Sequence, residues 1–244
     1  MIQKIKGKCK YCGKEYTGSY MGRHLLACKE RQSRLMAENG SRQCGYFVLK
    51  IYPKYVFRYD YWLFIEVRED ATLRDVDSFL RDIWLECCGH LSAFNIGGTS
   101  YEVMPDEDSF WGEPAKSMNY KLKTVLSKGM TIGYEYDFGS TTELILSVID
   151  YRIGGRRKEK LTILSRNNPH EMICDECGKK PAVMICPMCM WEGEGLLCED
   201  CSETHSCGED MLLDVCNSPR MGVCGYVGSD IYPDQFVPDT EKED

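Results

Sequence analysis

Twelve of the nineteen Cys and His residues in this 244-residue chain stand at spacings that suit zinc. Zinc takes four soft or borderline ligands in a tetrahedron, and a C-x2-C knuckle offers it two thiolates from one tight turn. The first set is Cys9-x2-Cys12-x11-His24-x3-Cys28. Two further sets interleave toward the other end: Cys174-x2-Cys177, Cys186-x2-Cys189, Cys198-x2-Cys201 and His205-x-Cys207. Together they call for three zinc ions. Closed four-ligand sites are structural, whereas a catalytic zinc keeps one position open. The chemistry therefore reads as scaffolding rather than zinc hydrolysis.

The elements that must position the first set are a hairpin for the Cys pair and a helix for His24 and Cys28. Three intervening residues put that second pair on one helix face, a turn apart. Tyr16 and Met21 stand where such a ββα finger needs its small apolar core, and metal binding would supply its folding energy. Lys8, Lys10, Lys14, Arg23, Lys29 and Arg31 surround it, with Arg34 beyond. Such cations can neutralise phosphates, which points to nucleic acid as a partner of residues 1–42. One finger reads only about three base pairs, and a protein-contacting finger with a solvated basic surface stays open.

The second group of ligands can be used in order or crosswise. In order, Cys198/Cys201 and His205/Cys207 would have three residues between them, almost no chain for a turn. Crosswise, Cys174/Cys177 pairs with Cys198/Cys201, and Cys186/Cys189 pairs with His205/Cys207, across gaps in the ordinary range of about 15–20 residues. The crosswise order resembles the B-box and related cross-brace fingers of protein-interaction modules. Cys216 or Cys224 could stand in for Cys207. Residues 171–244 carry 17 Asp/Glu against 4 Lys/Arg, so this end favours a protein partner, through residues 171–230.

Residues 1–42 carry the opposite balance, 10 Lys/Arg against 3 Asp/Glu, within a chain of net charge −8. No apolar run approaches the roughly 18 residues of a membrane helix, and the basic first residues have no apolar stretch behind them. Recurrent C-x2-C pairs without an export signal suit metal-bound thiolates in a reducing cytoplasm. Charge steps and Cys clusters divide the chain into a CCHC finger at 1–30, a polar or helical linker at 31–43, an α+β domain at 44–167, a two-zinc cross-brace module at 168–230 and an acidic tail at 231–244. The last stretch, from Pro238 to Asp244, reads as frayed.

The middle alternates strand and helix signals, which predicts a compact mixed α+β domain. Tyr46–Tyr52 and Tyr59–Val67 are rich in aromatic and branched residues, as strands are. Thr72 and Asp75 can open a helix whose face carries Leu73, Val76, Phe79, Leu80, Ile83 and Trp84 at helical spacing. Strands are expected near His90–Asn95, Thr99–Met104, Thr131–Phe138, Thr142–Arg152 and Leu161–Leu164, with an acidic loop from Pro105 to Pro114 and a short helix near Lys121–Leu126.

Tyr134-Glu135-Tyr136-Asp137-Phe138-Gly139, His90-Leu91-Ser92-Ala93-Phe94 and Ile96-Gly97-Gly98, with the Thr72–Trp84 helix, resemble the plasmid pRiA4b ORF-3-like family over about residues 44–165. The resemblance implies a compact α+β domain. The late Asn217-Ser218-Pro219-Arg220-Met221-Gly222-Val223-Cys224-Gly225-Tyr226 resembles the tail of a zinc-bearing subgroup. The chain departs from the family where ligands would matter: Ser92 takes a His position, Thr142 a Trp and Leu144 a His. An enzymatic alternative would rest on His90, Asp137 and Glu143. Asp137 and Gly139 are explained by turn chemistry alone. Cys87-Cys88-Gly89-His90 lacks an orienting residue for a nucleophile, and its thiols read as small buried groups at a helix end. The balance favours a non-catalytic interaction protein.

Overall fold

The computed structural model describes residues 4–38, 42–105 and 114–241. Its fold is mixed α+β, dominated by one large sheet, and the chain divides into two compact units. The first comprises residues 1–79, 91–168 and 236–244, and the second residues 80–90 and 169–235.

In the first unit, β1 (Lys6–Lys8) and β2 (Glu15–Thr17) form a small hairpin followed by α1 (Gly18–Ala27) and α2 (Lys29–Ala37). Most of the expected linker is thus helix α2, while residues 39–41 lie outside the described residues. Next come β3 (Gln43–Pro53), β4 (Leu63–Arg68), α3 (Leu73–Leu80), β5 (Ser92–Ile96), β6 (Thr99–Glu102), β7 (Lys116–Ser117), α4 (Leu122–Val125), β8 (Thr131–Tyr136), β9 (Thr142–Gly155) and β10 (Leu161–Arg166). Eight of these strands make the sheet, in the order β10-β4-β3-β9-β8-β5-β6-β7. All neighbours are antiparallel except β6 and β7. The expected strand from Tyr59 begins only at Leu63, because Tyr61 and Trp62 form the approach to it. The acidic-loop expectation falls largely on residues 106–113, outside the described residues.

The burial of the strands explains their sequences. β3 is buried almost throughout, as a central strand with both faces covered must be, whereas β9 alternates along its first half. Val48, Phe64 and Leu164 on the sheet join Trp62 and Met21 and Leu25 of α1 in one apolar cluster that also holds Cys9 and Cys28. The N-terminal ββα segment is therefore mounted on the sheet. Its approach is close: a Cβ on Gly18 would stand 2.7 Å from the Trp62 ring.

A buried carboxylate locks α2 to the same sheet. Glu66 of β4 has no solvent exposure and receives Arg31 of α2 at 2.6 Å, Arg152 of β9 at 2.8 and 2.7 Å, and Arg157. The Arg152 and Arg157 guanidiniums also lie over the Tyr46 ring, at 4.4 and 4.6 Å from its centroid. Burial alone would raise the Glu66 pKa, but the Arg152 hydrogen bond and the three cationic charges overcome it and hold the group down at about 2.

The second unit holds a π turn, Arg81–Leu85, closed by the Glu86 N–H donating to Arg81 O at 2.9 Å. A three-stranded sheet of two-residue strands follows, β12 (Leu196–Leu197), β11 (Met184–Ile185) and β13 (Leu213–Asp214), with the short α5 (Glu199–Ser202). So little regular structure cannot hold a fold by itself. Beside these strands the unit has buried apolar side chains, among them Trp84, Ile185, Leu196 and Tyr226, and several groups of thiols.

Candidate metal centres

Among the described residues, four groups of Cys and His each bring their ligand atoms within 4.8 Å of one another. They are Cys9/Cys12/His24/Cys28, Cys174/Cys177/Cys198/Cys201, Cys186/Cys189/His205/Cys207 and Cys87/Cys88/His90/Cys224. Each could hold a metal ion. With metal–sulfur bonds of about 2.3 Å, a tetrahedral ion sets its sulfurs about 3.8 Å apart. The sulfur–sulfur separations lie close to that figure, from 3.6 to 4.0 Å, while Cys88 Sγ and His90 Nε2 stand closer, at 2.9 Å.

In the first group, the turn after β1 supplies Cys9 and Cys12, α1 supplies His24, and Cys28 lies between α1 and α2. Cys12 Sγ stands 3.3 Å from His24 Nε2 and Cys9 Sγ 4.0 Å from Cys28 Sγ. Tyr16 packs on the His24 ring with centroids 4.3 Å apart. Burial lowers the His24 pKa, favouring the neutral imidazole a metal requires. Burial also pushes Cys28 up to about 12. A metal ion bound here would have to displace the thiol proton.

The two interleaved groups draw on the crosswise pairs. Cys177 Sγ lies 3.9 Å from Cys198 Sγ, and Cys189 Sγ lies 3.5 Å from His205 Nε2 and 3.7 Å from Cys207 Sγ. Cys207 is the fourth member of its group. Cys216 is buried outside all four groups, and Cys224 belongs to another. Each cluster mixes thiols of opposite tendency. Backbone N–H groups of Lys180 and Lys179 draw Cys177 down to about 6. Hydrogen bonding from Cys198, with burial, pushes Cys201 up to about 12. Burial and its thiol neighbours push Cys189 up to about 12.

The fourth group is the one that sequence spacing missed. Cys87, Cys88 and His90 are local, but Cys224 lies 134 residues from His90. Cys88 is exposed and Cys87 partly so, which corrects the reading of these two as buried thiols. The signal was present as a Cys-Cys-x-His run, with an unassigned Cys late in the chain.

The six cations expected to meet nucleic acid are dispersed in role. Lys14, Arg23 and Lys29 are exposed and, among the described residues, make no ion pair. Arg23 lies over the Tyr20 ring, 5.0 Å from its centroid. Arg31 departs from the expectation: it is buried on Glu66 and has no surface to offer. Lys8 and Lys10 are partly buried and engaged by the C-terminal tail. Lys8 Nζ meets Glu241 at 2.8 Å, Lys10 Nζ meets Asp239 at 2.8 Å, and the Asp239 N–H donates to Lys10 O at 2.8 Å. Through Glu241, then, the tail is docked on the ββα segment, not frayed, because its acids find lysines there.

The residues of the enzymatic alternative are committed elsewhere. Asp137, buried at φ +66°, accepts the N–H groups of Gly139 and Ser140 and so builds the hairpin turn. Glu143 pairs with Lys54 at 2.5 Å. His90 stands in the fourth thiol group.

No curated protein matches this chain. A solved structure of a protein of unknown function, MM3350 from Methanosarcina mazei Go1, is similar at 20% identity over 50% of this chain and 67% of that one, with a TM-score of 0.38. The sequence pattern of the plasmid pRiA4b ORF-3-like proteins matches residues 49–178, more than half of the chain, from the middle of β3 through β10. The protein belongs to the plasmid pRiA4b ORF-3-like family.

Proposed function

We propose that this is a zinc-binding, non-catalytic interaction protein of a reducing, cytoplasmic compartment. Its N-terminal finger contacts nucleic acid, and its acidic C-terminal module contacts protein. Zinc is favoured over other ions because thiolate-rich, four-ligand sets with tetrahedral spacing suit it. The observation that carries the nucleic-acid reading is the exposure of Lys14, Arg23 and Lys29 around the Cys9/Cys12/His24/Cys28 group, with no ion pair among the described residues. Exposed cations on a rigid, metal-held mount can neutralise phosphates without first losing a partner. For the C-terminal module, Trp191 and Met188 are 71% and 61% exposed amid an acidic sequence. An exposed Trp in such a setting suits a protein surface that is both basic and apolar. No described helix is long and apolar enough to cross a membrane.

The test is fluorescence anisotropy of the zinc-loaded full chain with labelled duplex and single-stranded DNA and RNA, across a salt series. Deleting the finger would uncover Trp62 and Phe64, so the comparison is the charge variant Lys14→Gln/Arg23→Gln/Lys29→Gln. Salt-sensitive binding by the wild type that the triple variant loses supports the reading. No binding at low salt by the wild type refutes it.

A further inference from the structure

Outside the three sites read from spacing, the second unit holds a constellation whose parts are built for one another. The π turn Arg81–Leu85 ends at Glu86, and Cys87, Cys88 and His90 follow in a tight bend. Gly89 takes φ +77°, and its N–H donates to Glu86 Oε1 at 2.6 Å. Arg81 fixes both ends of the bend, donating to Glu86 Oε2 at 2.8 Å and to the His90 carbonyl at 2.6 Å. A π turn inserts one extra residue into a helix and often serves a site; here it sets where the bend begins.

The fourth side chain arrives from far along the sequence on a loop that is itself fixed. Ser218 Oγ donates to Trp84 O at 2.6 Å, and Arg220 is fully buried with Nη2 3.6 Å from Cys87 Sγ. Cys224 then adopts φ +56°, one of only two non-glycine residues with positive φ among the described residues. For an L-residue other than Gly that conformation is strained, so something must favour it. It places Cys224 Sγ 3.6 Å from Cys88 Sγ and 3.5 Å from His90 Nε2, while Cys87 and Cys88 Sγ stand 3.7 Å apart. None of these sulfur pairs is at the roughly 2.05 Å of a disulfide. They are at the edge length of a tetrahedron around a thiophilic cation.

We propose that Cys87, Cys88, His90 and Cys224 form a fourth zinc-class metal centre, which pins the loop 216–226 to the π turn. Binding releases thiol protons and leaves a closed Cys3His set. The centre differs from the other three in two ways. Its first two ligands are adjacent in sequence, and Cys88 and Cys224 are exposed where every other group keeps at least one ligand buried and none exposed. Its ion is therefore the most accessible of the four to a competing chelator. The inference does not depend on the nucleic-acid reading.

The experiment is native mass spectrometry of the full chain loaded with zinc, beside Cys224→Ser. Four ions in the wild type and three in the variant are expected, and an equal number in both overturns the proposal. A second measurement needs no variant: timed alkylation of the reduced, zinc-loaded wild type, read cysteine by cysteine. Cys88 and Cys224 should be protected despite their exposure, and should be the first to react when a chelator is added. Reaction at the same rate with and without chelator overturns the proposal. So does recovery of a Cys88–Cys224 disulfide from zinc-loaded protein prepared under reducing conditions.

Discussion

The contact between the acidic tail and the ββα segment makes a quantitative claim about nucleic-acid binding. Asp239 and Glu241 occupy Lys10 and Lys8, so those two lysines must exchange a carboxylate for a phosphate before they can contribute. Binding to duplex DNA weakens with salt at a log–log slope of about −0.9 per phosphate neutralised. With Lys14, Arg23 and Lys29 engaged, the wild-type slope should be about −2.7. In Asp239→Asn/Glu241→Gln two more cations are released and the slope should steepen to about −4.5. The difference, about 1.8, does not depend on how many other cations take part. Between about 200 and 50 mM salt, the variant should gain roughly tenfold more affinity than the wild type gains. Ion pairs that keep solvent contact, as these partly buried ones do, are worth about 1 kcal/mol or less each, so thermal stability should change little and binding is read cleanly. The assay is anisotropy of a labelled duplex against each full-length protein at four or more salt concentrations. Parallel slopes, differing by less than about 0.5, would show that the tail does not compete with phosphate and would refute the reasoning.

Four further outcomes follow from the packing. Glu66→Gln strands three guanidiniums in a buried site, at a cost of about 3–5 kcal/mol; thermal melts should fall by roughly 6–20 °C, and a fall under 2 °C would contradict the account. The same carboxylate sets an acid limit. Its folded pKa, about 2, is depressed below the ordinary 4.5, so its contribution is full above about pH 4.5 and is lost as pH falls toward 2; urea titrations at stepped pH should show a steeper loss in the wild type than in Glu66→Gln. Gly18→Ala drives a methyl into the Trp62 ring and should destabilise by about 1–3 kcal/mol, with Trp fluorescence reporting the shift. Chelation should erase hydrogen-exchange protection at Met184–Ile185 and Leu196–Leu197 while β3 and β9 keep theirs, since the two-residue strands lie among the thiol clusters and β3 and β9 are held by the large sheet.

Much of this architecture was legible because local chemistry dictated it. Strand positions in the sheet follow from aromatic and β-branched runs, and the bend at Asp137 follows from Asp and Gly in a turn. The crosswise grouping of Cys174/Cys177 with Cys198/Cys201 came from loop lengths alone, and those thiols do lie together. What sequence could not carry was long-range. Arg31 read as a surface cation because its neighbours are basic, yet its partner Glu66 lies 35 residues away, in a strand whose remaining residues apart from Arg68 are apolar. Cys224 stood only as an alternative to Cys207 in the His205 group; a left-handed backbone places it beside His90 instead. The docking of Asp239 on Lys10 spans 229 residues and leaves no local pattern.

The mounting of α1 on the sheet also limits how a nucleic acid could be read. A ββα finger reads bases from its helix, with side chains just before the start and at the third and sixth positions. In α1 those positions fall on Thr17, Tyr20 and Arg23. The opening turn is not clear of its surroundings, because Gly18 is buried against Trp62. Tyr20 and Arg23 face outward but lie on one another. One base-directed Arg gives at most about 1–3 kcal/mol of discrimination, and the exposed Lys14 and Lys29 lie before and after the helix rather than along its reading face. Affinity should therefore come from phosphates. Duplexes of equal length and unlike sequence should bind within about tenfold of one another, well inside that single-contact limit. Arg23→Gln should weaken all of them about equally, reducing the salt slope by about 0.9. A panel of duplexes with a preference above roughly a hundredfold would mean that α1 enters the groove, and that the finger leaves the sheet to do so.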